Sequence, residues 1–303
     1  MMRLTSATRS IVLGVGCLAA PAWPALGYAQ PAGAEPQAEP QAEPQIDRPE
    51  APAARPVSHP RTFYFRLGGA IVKPVSSSRE MVLSDVDGPA SLAIQNGPIA
   101  GSGATVGSAS IPAVILGWVL PTASRRWSLE TILGPPFTVK FTATGTLANM
   151  SIAPTALGIP TGIRALGPEL GEAKALPPVL TAVYQLTSGG VLRPYVGAGA
   201  SVLFSYDAHV TNAMLTAVNK PDMTIAPAPG LVLQGGLDAR LWKSVYARLD
   251  VKFIALMMAR AEVHHVEVKT PDLPLFDNVE VGTAKMNVWV NPFIVQGAIG
   301  VDF

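Results

Sequence analysis

Catalysis would need a nucleophile, a base and an orienting group held together, and this sequence is poor in bases. Its histidines are His59, His209, His264 and His265. Ser205, Asp207 and His209 share one parity of an alternating segment, so their side chains would line one face of a strand, the only grouping that hints at turnover of a lipid or ester. One strand cannot establish a triad, and a solvated histidine at a loop end is the better account of His209. His264 and His265 are adjacent and would point to opposite faces, and His59 lies in a Pro-rich stretch. There is no zinc-ligand spacing, so no metal site is expected. Gly197-Ala198-Gly199 sits inside a strand pattern, where small residues relieve crowding rather than cradle a phosphate, so no cofactor is expected either. The chain therefore reads as one without chemistry.

A different set of residues recurs with period two inside apolar segments. Val245, Ala247, Leu249, Val251, Phe253, Ala255 and Met257 alternate with Tyr246, Arg248, Asp250 and Lys252. Trp289, Phe293, Val295, Ile299, Val301 and Phe303 similarly oppose Gln296, Ala298, Gly300 and Asp302. Charged residues at every second position fit a crowded lumen facing away from lipid. Applied along the chain, the pattern predicts eight strands, near 62–74, 109–120, 127–144, 175–187, 191–209, 228–241, 244–262 and 285–303. The connections alternate between short (121–126, 188–190, 242–243) and long (75–108, 145–174, 210–227, 263–284). That asymmetry predicts an all-β fold, an eight-stranded antiparallel transmembrane β-barrel with short periplasmic turns and long extracellular loops.

Composition agrees. Of 303 residues, 49% are hydrophobic and only 14% charged, yet beyond the N-terminus no stretch reaches the roughly 18 apolar residues of a spanning helix. The 22 basic and 21 acidic residues leave a net charge of +1, with no basic block to neutralise a nucleic acid. A soluble barrel would carry far more surface charge. Residues 1–29, with Arg3 and Arg9 before the apolar run Ile11–Ala20 and small residues at Gly27-Tyr28-Ala29, read as a secretory signal containing the single cysteine, Cys17. Residues 30–60, rich in Pro, Ala, Glu and Gln, read as a disordered tail, and 61–303 as the outer-membrane barrel.

Several segments carry a family resemblance. Leu133-Gly134-Pro135-Pro136-Phe137, Leu176-Pro177-Pro178, Arg193-Pro194-Tyr195-Val196-Gly197-Ala198-Gly199, and Asn291-Pro292 followed by the final Phe303 together resemble the outer membrane protein W (OmpW) family, over roughly residues 61–303. The Pro-rich extension and the Gly, Ser and Ala-rich stretch 97–110 depart from it, and Asn291 stands where an acidic residue is expected. The resemblance implies a narrow apolar passage for small hydrophobic molecules with lateral release into the bilayer.

Read by height, the inward residues divide in two. Arg66, Glu130, Arg193, Asp238, Arg240, Arg248, Asp250 and Lys252 are expected low in the lumen as a charged plug, because charges buried there must pair. Ile254, Leu256, Met258, Val288, Val290 and Ile294 are expected above it as an apolar vestibule. Leu133, Gly134, Pro135 and Pro136 mark a candidate lateral exit, since neither proline can donate to a ladder. For each set a purely structural role is the alternative. Phe63, Trp127, Trp242, Trp289 and Phe303 suit interfacial girdles. The expected partners are membrane lipid, small hydrophobic solutes and the barrel-assembly machinery through Phe303. A surface barrel serving as receptor or scaffold, and a lipid-modifying barrel enzyme, are the competing functions.

Overall fold

Alternation of side chains across a sheet becomes a through-wall pattern when the sheet closes on itself, and β1 (Phe63–Ser78) shows it directly. Tyr64, Arg66, Ala70 and Val72 are buried inward, whereas Phe65, Leu67 and Ile71 stand out from the wall. In the computed structural model, which describes residues 61–187, 189–255, 257–273 and 275–303, seven further staves continue the pattern. They are β2 (Ala109–Val119) and β3 (Trp127–Leu133, resuming as Phe137–Gly145), then β4 (Glu169–Leu176, resuming as Val179–Gln185) and β5 (Leu192–Val210). β6 (Asp222–Ala226, resuming as Ala228–Trp242), β7 (Val245–Ala255, resuming as Met258–Lys269) and β8 (Asn278–Asp302) complete the set. The expected signal and tail, residues 1–60, lie outside the described residues.

Each stave pairs antiparallel with its neighbours in chain order, and β8 returns to β1 from Tyr64↔Asp302 to Ser78↔Val288, closing the ring. Closure leaves no unpaired edge, which is the condition for strands to cross lipid. No helix among the described residues is long and apolar enough to cross a membrane. The outward face is apolar: Leu67, Leu233, Leu249 and Ile299 are each more than half exposed, a band that water would penalise and lipid does not. Phe63, Trp118, Trp127, Trp242 and Phe303 expose their rings toward the end that carries the short turns, with Trp127 against Tyr184 at 4.9 Å between centroids.

The loop end is more ordered than the alternation alone implies. β8 starts at Asn278 and β7 runs to Lys269, beyond the expected limits of 285 and 262. The long first connection contributes Val82–Ser84, paired with β8, and Ser102–Val106, paired with the upper part of β3. Polar residues in these extensions mask the pattern, because above the membrane the outer face meets water and the lipid-driven alternation fades.

Candidate functional site

The low lumen is filled by charge. Arg248 on β7 lies opposite Asp238 on β6, and its guanidinium donates from Nε to Asp238 Oδ1 at 2.7 Å and from Nη2 to Oδ2 at 2.9 Å, while Nη1 reaches Glu130. Lys252 Nζ donates to Asp250 at 2.6 Å and to Glu130 at 3.4 Å. Arg66 joins Asp302 and stands 3.9 Å from Asp238, and Arg193 reaches Asp302 at 3.3 Å. Five cations (Arg61, Arg66, Arg193, Arg248, Lys252) thus face four carboxylates (Glu130, Asp238, Asp250, Asp302), Arg61 being the least buried of them and 3.4 Å from Asp302. Each has a partner, as burial demands, since an unpaired ion inside the wall would be strongly destabilising.

Neutral groups knit this network together. Tyr64 donates to Glu130 at 2.9 Å, Tyr195 donates to Asp250, and Gln234 donates to both Glu130 (2.8 Å) and Asp250 (2.9 Å). The Arg248 guanidinium lies 4.6 Å from the Tyr195 ring centroid and 5.1 Å from that of Tyr64. Gly117 makes room, because a Cβ there would fall 1.9 Å from the Tyr64 ring. Arg240, expected in the plug, is exposed. The register slips between Arg240 and Trp242 at the turn, which leaves Arg240 at the rim, where a cation stays hydrated.

Above the network the lumen turns apolar. Ile254, Val288, Val290 and Ile294 are buried inward as expected. Leu256 lies outside the described residues. Met258 is only half-buried, on the opposite face, and Met257 takes the inward place. The cause is a break in the β7 ladder: Met257 O accepts from Val290 N at 2.8 Å and Met257 N donates to Asn291 Oδ1 at 3.3 Å, which resets the alternation. Three cavities stack here, of about 80, 50 and 130 Å³. The first, near the loops, shares Phe141 with the second. The second and third share Val72, Phe137, Pro177 and Ile294. Their walls are almost wholly apolar, so the three separate cavities stack as an apolar column.

The lowest cavity touches the wall at Leu133, Gly134 and Pro135. β2 pairs with β3 only up to Val114↔Leu133, and β3 meets Ser102–Val106 again at Val106↔Phe141. On the other side, pairing with β4 stops at Val179↔Ile132 and resumes at Ala175↔Phe137. Gly134, Pro135 and Pro136 therefore stand in no ladder on either side, across from Pro177-Pro178. This is a seam without backbone hydrogen bonds, bounded by apolar side chains.

The histidines are not drawn together. His209 Nε2 is 3.3 Å from Glu172, Asp207 pairs with Lys174 at 2.7 Å, and His264 lies 3.6 Å from Glu262. The Asp207 carboxylate thus turns to a lysine on β4, while His209 Nδ1 meets the backbone oxygen of Asp207 at 3.1 Å. Among the described residues no cluster of three His, Cys, Asp or Glu could hold a metal ion.

Comparison with known proteins agrees with this geometry. The outer membrane protein OprG of Pseudomonas aeruginosa superposes with a TM-score of 0.61 at 20% identity, over 80% of this chain and 96% of that one. AlkL, solved in lipid bilayers, gives 0.44 at 18% identity over 81% and 92% of the two chains. None of the curated proteins matches. The OmpW family profile matches residues 89–303, more than two thirds of the chain. The chain is thus a member of the OmpW family, an eight-stranded barrel of the cell outer membrane.

Proposed function

We propose that this barrel admits small apolar molecules from the loop end and releases them sideways into the bilayer, while the charged network closes the route to the periplasm. The observation that carries the reading is the succession of apolar cavities. They lie one below another from beneath the loops, past Val290 and Ile294, to the unladdered seam at Gly134-Pro135-Pro136. A solute of low polarity gains little by crossing a lattice of ion pairs, whose separation is costly in a low dielectric, and loses nothing by leaving through an apolar seam. Val288 and Val290 then serve as lining and Arg248, Glu130 and their partners as a floor.

The test is naphthalene uptake by Gram-negative cells carrying the barrel, compared with cells lacking it. The chain should speed uptake, Val290→Asp should return it to the background rate, and Pro135→Val with Pro136→Thr should slow it by letting the ladder close. Equal uptake with and without the barrel would leave a receptor or scaffold role in its place.

A further inference from the structure

Gln296 is fully buried, yet neither its Nε2 nor its Oε1 meets a hydrogen-bond partner among the described residues. It stands where the two zones of the lumen join. Its cross-strand neighbours are Ala70, which lines the lowest cavity, and Asp250 of the charged network. Ile294, one inward step above, lines two cavities. Asp250 makes no bond to Gln296; its oxygens accept from Lys252, Gln234 and Tyr195. Two further neutral atoms at this boundary are bare: Gln234 Oε1, whose amide nitrogen serves Glu130 and Asp250, and Thr181 Oγ1, paired in register with Glu130. Buried polar atoms are rarely left unpaired, and Gln296 lies beside Ala70 and one inward step below Ile294, at the foot of the apolar chamber.

We propose that these atoms receive the polar end of the solute, and that the preferred solute is a small apolar molecule ending in one hydroxyl, an alcohol or a phenol. This rests on the passage reading above and sharpens it. A hydroxyl both donates and accepts, so it can take the Gln296 Nε2 proton and give its own to Gln296 Oε1 or Gln234 Oε1. A carboxylate would face Glu130 and Asp250, which already hold the nearby Arg248 and Lys252. An ammonium group would add a sixth cation to a floor of four carboxylates. A hydrocarbon would fill the chamber above but leave the amide of Gln296 unpaired.

The experiment measures saturable binding of isotope-labelled 1-octanol and n-octane to the purified barrel in detergent micelles, with empty micelles subtracted. Gln296→Met keeps the volume and removes the amide; Thr181→Val, on another stave, removes a hydroxyl without changing shape. Heat-modifiable migration identifies the folded variants, and Thr181→Val decides if Gln296→Met does not fold. Loss of one hydrogen bond should weaken 1-octanol binding roughly five- to tenfold, with n-octane unchanged. Equal 1-octanol binding in wild type and folded variants, or parallel loss of both solutes, would overturn the proposal while wild-type n-octane binding leaves the passage reading standing. No saturable binding of either solute to the wild type would overturn both.

Discussion

Replacing Arg248 with Met should destabilise the barrel by about 3–5 kcal/mol, the range for removing one partner of a buried ion pair. The structure says where that cost arises. Asp238 loses two hydrogen bonds of 2.7 and 2.9 Å and keeps only Arg66, at 3.9 Å. Glu130 loses its Arg248 contact but keeps Lys252, Gln234 and Tyr64. Asp238 is therefore the residue left with an uncompensated charge, and neutralising it should restore part of the loss. The double variant Arg248→Met with Asp238→Asn should be more stable than Arg248→Met by about 1–3 kcal/mol, within the usual range for coupled neighbours. Pairing Arg248→Met with Asp250→Asn should give no such recovery, because Asp250 is held by Lys252, Tyr195 and Gln234. Reversible urea unfolding in lipid vesicles, followed by tryptophan fluorescence, measures all four proteins. A single-variant cost below about 1 kcal/mol, outside that range, or equal recovery from both second substitutions, would refute the assignment of partners.

Three further outcomes follow from the same geometry. Leu233→Arg, on a lipid-facing position that is 59% exposed, should lower stability by about 2–4 kcal/mol if near the bilayer midplane; a neutral result in vesicle unfolding would mean that face does not meet lipid. Val290→Asp places a carboxyl in the apolar column, where burial favours its neutral form, so blocked naphthalene uptake should partly recover as the medium is acidified, and a pH-independent block would argue against an apolar, enclosed site. Gly117→Ala should push the Tyr64 ring off Glu130 and destabilise by about 1–3 kcal/mol as overpacking, with Tyr64→Leu relieving the strain in the double variant during urea unfolding.

Much of the barrel was legible because lipid enforces alternation: wherever both faces of a stave are buried in contrasting media, parity identifies the inward residues, and Arg66, Asp238, Arg248, Asp250 and Lys252 follow from it. Partner identity was not legible. Arg248 and Asp250 are neighbours on one face of one stave, yet Arg248 pairs across the ladder with Asp238, a fact of register that no single strand encodes. Tyr64 and Tyr195 were equally hidden as hydrogen-bond donors, since an aromatic at an inward position reads as filling until its hydroxyl is seen on Glu130 or Asp250. Their even-odd positions were the available signal. The loop strands escaped because water on both sides of them imposes no period.

The misplacement of Met258 has a wider cause, which also bears on the passage. Below the breaks, β3 turns Ser128, Glu130 and Ile132 inward; above Gly134-Pro135-Pro136 it turns Phe137, Val139 and Phe141 toward the cavities. The inward parity switches from even to odd. β6 switches likewise across Pro227, from Ala228 and Val232 to Met223 and Ile225, and β7 from Lys252 and Ile254 to Met257 and Ala259. β5 keeps one parity from Tyr195 through Ser201 to Leu203 and Ser205, then changes it at Asp207, above which Val210 lines the uppermost cavity. Since a one-residue slip exchanges the two faces of a strand, each break lets the segments on either side be specified separately. The charged floor can then be built from one set of positions and the apolar column from another, with neither pattern constraining the next. Prolines without N–H donors interrupt β3 and β6 at such switches, so there the feature that separates the zones is also the feature that removes hydrogen bonds from the wall; the prolines of β4 leave its parity unchanged, from Ala173 and Ala175 to Val179 and Thr181. In β3 and β4 those interruptions face one another, and the weakened wall coincides with the foot of the apolar column. On the proposed reading, a solute halted by the floor meets a wall segment without backbone hydrogen bonds at the height where it stops.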